Sequence, residues 1–545
     1  MGRVFSCLKT LVFKNSGPGL IVLSGLAAYW NAVQNPFVYD DLGFVASNPA
    51  IQNFKNVLLL WSPDYYTVTA GMASYRPIGA VLWILDYALF KNHSAGFHLS
   101  SLFIHLINSF LVYRIGKALS LSESAAAVAG ILFALHPAHT EAVNCVVFNG
   151  DLLTTLFMLL AVENYLHLSR TGWNLWRASG LILAAGTALF SKETALVLPA
   201  LLVFFEALKL RPPMDVKTSR RIWAGLAGVT AIYLWVRFGP MRSPLETSKG
   251  YIGGSLISNL MTIAQLPFNY LRLLVFPARL SIYHDIPILS GWKDTQLWLH
   301  VLFLASLGFV LSRICVRSRL AFFFAIWIFL GLIPVLNFIP FASYKTLFSE
   351  RFLYFPSVGF CWLAARTWSR IQIHYPKNSK FCAALVLILL GFRTHLRNKD
   401  WKNDEILLSR AVRSAPFIAG SILGSRYFMQ GNFSAAAREF TPALENAPDE
   451  ADASWVRENL AISLQYLGRN QEGIRLLLES LEKGNRSARL YANLGTAYYR
   501  IREYRPAAKY LEQATVLEPD NAQMRFNLEL VRKALRNASK TPPVN

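Results

Sequence analysis

The chain has 545 residues, of which 54% are hydrophobic and 16% are charged, and it carries a formal charge of +22. Soluble domains contain about 25% charged residues, so this composition excludes a wholly soluble protein and indicates that most of the chain lies in lipid. Excess lysine and arginine in such a protein marks the cytoplasmic loops, and nucleic-acid binding is not needed to explain the charge. The five cysteines have no Cys-x-x-Cys spacing, so we predict neither a disulfide framework nor a cysteine metal site.

The hydrophobic segments predict a polytopic helix bundle, since a spanning helix needs about 17–25 mostly apolar residues. Eleven segments qualify: 18–34, 97–117, 124–142, 150–168, 178–192, 194–209, 222–239, 296–314, 320–338, 353–371 and 381–396. With the N-terminus inside, the basic clusters between them all face the cytoplasm, as the positive-inside bias requires. The C-terminus is then outside.

Three segments need separate treatment. A single helix over 178–209 would bury Lys192 and Glu193 at mid-membrane, which is costly, so we predict a short hairpin with its turn at these residues. Ile78 to Phe90 is too short to cross a bilayer and is predicted to be interfacial. Residues 256–276 are predicted to lie along or dip into the outer surface, because a further span would turn the cluster at Arg313 to Arg319 outward.

After about Arg397 the composition becomes soluble, and a period near 34 residues predicts tetratricopeptide repeats. Copies start near Leu423, Leu460 and Leu494, and Ala411 with Pro416 indicates a further half unit. The alternative is an unrelated helical bundle. We therefore predict an all-α protein with a membrane domain over 1–396 and about 3.5 repeats over 397–545, whose stacked helix pairs form a concave binding surface.

Asp40 and Asp41 directly follow the first span, on the predicted outer face. A carboxylate there can act as a general base on an acceptor hydroxyl and hold it in place. Adjacent like charges raise one pKa, which favours a base. The alternative is a solvated loop without chemistry, and the sequence does not say which of the two would be the base.

Other polar residues gather at the same outer rim. His136, His139 and Glu141 have metal-ligand character, but Pro137 bends the turn, so substrate contact or helix capping competes with metal binding. Further candidates are Lys192 with Glu193, suited to a lipid phosphate or to pairing with each other, Arg351 with Glu350, suited to a phosphodiester or an interfacial anchor, and Arg76.

In these segments the sequence resembles the transmembrane and tetratricopeptide-repeat O-mannosyltransferases of the GT-C glycosyltransferase superfamily. The resemblance rests on the segments that begin at Val38, Tyr75, Gly96, Leu135, Ser191 and Ser349. It implies a polyprenyl-phosphate sugar donor, an inverting transfer without a metal or other cofactor, Asp40 with Asp41 as the acidic catalytic motif, and Arg351 and Lys192 as donor-phosphate contacts. The short repeat array favours a bacterial relative with its own acceptor and sugar.

We therefore predict an integral-membrane glycosyltransferase that moves a sugar to a protein hydroxyl on the outer or luminal face. The binding partners expected are the lipid-linked donor and an acceptor protein recruited by the repeats. The membrane would be the bacterial inner membrane, or the endoplasmic reticulum in a eukaryote. A non-catalytic scaffold is one rival. A transporter is another, but it would place its ionisable residues near mid-membrane.

Overall fold

The fold is all-α, as predicted from the sequence. A computed structural model describes residues 16–211, 213–243, 250–289, 291–339 and 347–540, and every regular element in these ranges is helical. The chain divides into two compact units. The first comprises Met1–Ile282 with Ile286–Leu407, and the second comprises Tyr283–Asp285 with Leu408–Asn545.

Each of the eleven predicted spans overlaps a helix, although several of these helices are shorter than the predicted span. These helices are Ser16–Tyr29, Ser94–Ala118, Glu123–Leu135, Asn149–Thr171, Leu175–Ser191, Leu198–Ala207, Val216–Phe238, Thr295–Arg317, Arg319–Leu332, Pro356–His374 and Pro376–Asn398. By length and composition, four helical stretches among the described residues are long and apolar enough to cross a membrane: Ser94–Ala118, Val146–Thr171, Thr295–Arg317 and Pro376–Lys402. The number of crossings therefore stays a prediction, while integral membrane association is supported.

Small residues let the helices of the first unit approach closely. A Cβ added at Gly25 would lie 2.5 Å from the Leu106 side chain, and one at Gly359 would lie 2.5 Å from the Phe324 carbonyl oxygen. Because glycine has no side chain, the neighbouring helix can approach closely at these positions, as is usual between membrane helices.

The helix does break at Lys192, where the turn was predicted. Leu175–Ser191 ends there with an extended residue (φ −164°, ψ 141°), and a 3₁₀ turn over Glu193–Val197 precedes Leu198–Ala207. The predicted interfacial segment is the helix Pro77–Phe90. Residues 256–276 form two short helices, Leu256–Ile263 and Leu266–Val275, so no single helix there is long enough to span.

The second unit consists of helices that pack in consecutive pairs. They are Pro416–Met429 with Phe433–Glu445, Glu450–Tyr466 with Asn470–Glu482, and Ala488–Arg500 with Tyr504–Leu517, followed by Ala522–Lys540. A Cβ on Gly424 would meet the Phe440 ring at 2.8 Å, and one on Gly495 would meet Leu511 at 2.5 Å. The repeat positions read from the sequence thus mark the close contact within a pair; that the pairs are tetratricopeptide repeats remains a prediction.

Candidate active site

The two adjacent aspartates have different surroundings. Asp41 is fully buried, and its carboxylate accepts hydrogen bonds from the backbone N–H of Val146 (3.1 Å) and Val147 (2.9 Å) and from the Cys145 thiol (3.3 Å). Asp40 is half-buried, and its carboxylate receives no hydrogen bond from the described residues. Asp41 is thus fixed within the protein, whereas Asp40 can still accept a proton from outside it.

Burial raises the pKa of both aspartates. For Asp40 the positive charge of Arg351 opposes this rise and the negative charge of Asp404 adds to it. For Asp41 burial raises the pKa to about 7, although the hydrogen bonds from Val147, Val146 and Cys145 act to lower it. Desolvation is therefore the main cause, and the like charge of Asp40, on which the sequence argument relied, is a minor one for Asp41.

Arg351 is anchored on Glu141. Its guanidinium forms an ion pair with that fully buried carboxylate, and its backbone N–H donates to the same group over 3.0 Å. The guanidinium lies 4.0 Å above the Phe148 ring and 4.9 Å from the Phe352 ring centroid. Two aromatic faces and one carboxylate therefore hold the planar cation in a defined place.

Lys192 and Glu193 do not pair with each other. The Lys192 ammonium is buried and contacts Asp151 Oδ1 over 2.6 Å, and it also lies 5.0 Å from the Phe352 ring centroid. Glu193 instead receives two hydrogen bonds from Arg76, one from Nε over 3.0 Å and one from Nη2 over 2.5 Å. Although burial raises it, the pKa of Glu193 is lowered to about 2 by this guanidinium.

The ring nitrogens of both histidines lie within hydrogen-bond distance of other protein atoms. His136 Nε2 lies 2.9 Å from the Leu274 carbonyl oxygen, and its Nδ1 accepts from the Ala138 N–H over 3.3 Å. His139 contacts the Phe133 carbonyl oxygen over 2.9 Å and Ser357 Oγ over 2.8 Å. Both rings are buried. These contacts therefore indicate that the two histidines stabilise the fold and do not contact a ligand directly.

The described residues contain no group of three or more His, Cys, Asp or Glu side chains arranged to hold a metal ion. Glu350 also faces the protein interior. It is fully buried, accepts a hydrogen bond from the backbone N–H of Ser281, and lies 4.0 Å from the buried Arg397. Its neighbour Arg351 is therefore the better placed of the two for contact with a ligand.

No family model matches the chain. Protein O-mannosyl-transferase TMTC3 of Homo sapiens is 26% identical over 83% of this chain and 53% of its own length. TMTC2 of Homo sapiens is 26% identical over 78% of this chain and 62% of its own, and F38B6.6 of Caenorhabditis elegans is 24% identical over 74% and 60%.

The chain is similar in sequence to the TMTC protein O-mannosyl-transferases. The resemblance predicted from its motifs is confirmed, and the chain spans about half the length of the first curated relatives it matches. Among solved structures, the apo oligosaccharyltransferase of Archaeoglobus fulgidus aligns with a TM-score of 0.42 and 14% identity, covering 78% of this chain and 60% of that one.

Charged side chains from motif segments that are distant in sequence converge in space. Arg351 acts electrostatically on Asp40 and on Lys192, and Asp151 acts on Arg351 and on Arg76. Three cations thus share one region with the aspartate pair. Asp151 was missed from the sequence because it lies at the start of a predicted span. The sequence did offer a signal for Asp151, since it is a carboxylate within the first turn of a helix, next to a predicted outer turn.

Proposed function

We propose that this protein is an integral-membrane glycosyltransferase that moves a sugar from a polyprenyl-phosphate carrier to a hydroxyl of a protein acceptor. The observation that carries the proposal is the half-buried Asp40 carboxylate, which receives no hydrogen bond from described residues and lies in the field of the anchored Arg351. Named relatives that are O-mannosyl-transferases support a hexosyl transfer, with mannose the first sugar to test.

Asp40 is the base in this mechanism. It takes the proton of the acceptor hydroxyl while the hydroxyl oxygen bonds to the anomeric carbon and the bond from that carbon to the phosphate oxygen breaks. The proton ends on Asp40, and the leaving lipid phosphate carries the negative charge. Asp41 positions the loop, because its carboxylate accepts hydrogen bonds from residues 145–147.

The donor phosphate would be neutralised by Arg351 and Lys192. Guanidinium has five N–H donors and ammonium three. The side-chain ion pair with Glu141 engages one nitrogen of Arg351, whose side chain is partly exposed and can still donate to a phosphate. Lys192 is paired with Asp151 and buried, so it would act on the phosphate mainly through its charge. Both cations lie about 5 Å from the Phe352 ring, an arrangement that limits water access and strengthens their interaction with an anion. Arg76 would contribute at longer range.

The repeats would recruit or orient the acceptor protein on the outer or luminal side, in the bacterial inner membrane or the endoplasmic reticulum. No cofactor enters the reaction as proposed. In a chain without its native cysteines, a cysteine at Ala451 should be labelled from the outer side of sealed vesicles, and one at Ser219 should not. Labelling of Ser219 alone would place the site on the wrong side of the membrane for this proposal.

The direct test uses purified full-length protein in lipid nanodiscs. Mannosyl phosphoryl polyprenol and a mixture of envelope or luminal proteins are supplied, and new glycopeptides are identified by mass spectrometry. Transfer that depends on this protein supports the enzyme. If several sugars and acceptors give no transfer, while cells lacking the protein lose assembly of a membrane complex, the scaffold alternative is correct.

A further inference from the structure

The segment that precedes the repeats is hydrogen-bonded to the loop that carries the aspartate pair. Asn398 donates to the Ala28 carbonyl oxygen and to Asn31 Oδ1, each over 2.9 Å. Its own side-chain oxygen accepts from Asn144 over 2.9 Å, and its backbone carbonyl accepts from Asn35 over 3.0 Å. All of these residues belong to the first compact unit. Residues 395–404 therefore form part of the site's framework.

Asp404 makes the contact nearest to the proposed base. Its carboxylate accepts a hydrogen bond from the backbone N–H of Tyr39 over 2.6 Å. Tyr39 has a φ of +58°, which residues with a side chain rarely adopt, and it directly precedes Asp40. A fixed hydrogen bond at this position helps to hold an unfavourable backbone conformation that determines where Asp40 points.

Asp404 stands at the start of the helix Asp404–Ala411, where the N–H of Ile406 donates to Asn403 Oδ1 over 2.8 Å. The Asp404 side chain is buried, and its carboxylate joins the start of this helix to the loop that carries the aspartate pair.

We propose that Asp404 is a positioning residue for Asp40, acting both through the Tyr39 N–H and through its negative charge. The inference rests on the proposed function for its effect on transfer, while the contact itself is testable without any activity. The same inference predicts that the active site of the membrane domain depends on residues beyond 396, which is the domain boundary expected from composition.

The charge effect has a definite sign. The titratable groups facing Asp40 are Arg351, Asp404, the adjacent Asp41 and the Cys145 thiol. The charge of Asp404 raises the pKa of Asp40 and that of Arg351 lowers it. Removing the negative charge at 404 should therefore lower the pKa of Asp40, so that the base is deprotonated, and transfer begins, at lower pH.

The experiment compares Asp404→Asn, Asp404→Ala and, as a matched control one residue along, Glu405→Ala in the full chain. Hydrogen exchange is followed in peptides covering 36–42, and transfer is measured as a function of pH.

Asn keeps an oxygen that can accept from Tyr39, so exchange should stay slow and only the acidic limb of the pH profile should move. Ala should accelerate exchange and lower transfer by up to about 10²-fold, the usual effect of a misplaced catalytic group. Glu405→Ala, at an exposed position, should change neither readout.

The outcomes separate the two proposals. Unchanged exchange in Asp404→Ala, or an acidic limb that does not move in Asp404→Asn, contradicts the positioning role. A parent protein that transfers no sugar contradicts the proposed function, and the exchange comparison then still decides whether Asp404 holds the loop. If Asp404→Ala does not fold, the pH profile of Asp404→Asn decides alone.

Discussion

The two compact units place their buried charges in different surroundings. In the first unit, Glu141, Asp41 and Lys192 are nearly inaccessible to solvent, and each is matched by named donors or an opposite charge. In the second, the contacts within the helix pairs are mainly apolar, as at Gly495 against Leu511. A buried charge there, such as Arg457, pairs with carboxylates that are exposed to solvent.

This difference follows from what each arrangement costs. A buried charge is costly unless it is paired, so a cluster of such charges is kept where chemistry or a precise geometry requires it. Close packing of small residues needs no such compensation and serves mainly stability. Mutations in the first unit should therefore affect transfer strongly, and those in the helix pairs should affect local stability first.

The largest effect is expected for Asp40→Asn. Asparagine preserves the shape of aspartate but cannot accept the hydroxyl proton, and loss of a general base typically lowers the rate by about 10²–10⁴-fold. Transfer at saturating donor is the measurement. Donor binding and expression should stay at parent levels.

Asp41→Asn is the matched comparison for that variant. Asparagine can accept only part of the hydrogen bonding from residues 145–147, so this protein should lose stability together with rate. Normal transfer by both variants would show that the aspartate pair is not the active site.

The next largest effect is expected for Arg351→Ala. It leaves the buried Glu141 carboxylate without its cation, which for a buried pair typically costs about 3–5 kcal/mol of stability. Thermal unfolding in detergent should therefore occur at lower temperature, and donor binding should weaken. Adding Glu141→Gln should restore much of the stability but not the binding. Binding that returns with stability would mean that Arg351 has only a structural role.

The sequence predicted the helical framework well and the partners within the site poorly. The length of the apolar segments and the cost of placing Lys192 at mid-membrane were sufficient to locate the helix break, because both are local properties of the chain. The ion pairs of Lys192 with Asp151 and of Arg76 with Glu193 join residues 41 and 117 positions apart. Such pairings depend on helix packing, which periodicity does not specify.

The aspartates show the same limit at closer range. Adjacent carboxylates indicated a catalytic pair, but not that Asp41 would be enclosed by the N–H groups of Val146 and Val147 while Asp40 stayed accessible. Asp404 was assigned to the repeats because composition changes near 397, yet it contacts Tyr39 within the first unit. Composition indicates whether a segment lies in water or in lipid, but it does not indicate which residues the segment hydrogen-bonds with.

A smaller, local effect is expected for Gly495→Ala. The added Cβ would lie 2.5 Å from Leu511 and 3.0 Å from the Ala507 carbonyl oxygen, and overpacking of this kind typically costs about 1–3 kcal/mol. Hydrogen exchange within 488–517 should accelerate, while transfer to a short peptide acceptor stays normal. Gly228→Ala is the control, since nothing lies within 4 Å of its added Cβ. Equal behaviour of the two variants would contradict the close packing described for the repeats.

The last prediction concerns the pH dependence of stability. Burial raises the pKa of Asp41 to about 7 in the folded state, whereas an unfolded aspartate has a pKa near about 3.9. Between these values the folded protein binds more protons than the unfolded one, so this group's contribution to stability is full below about pH 4 and is lost as the pH rises towards 7. The unfolding temperature of the parent should fall over that interval, and Asp41→Asn, which does not titrate, should fall less steeply. Burial also raises the pKa of Asp86 to about 7, so Asp86→Asn is measured in parallel to separate the two contributions. A parent and an Asp41→Asn protein with identical slopes would show that Asp41 is already ionised in the folded state, held so by its three hydrogen bonds.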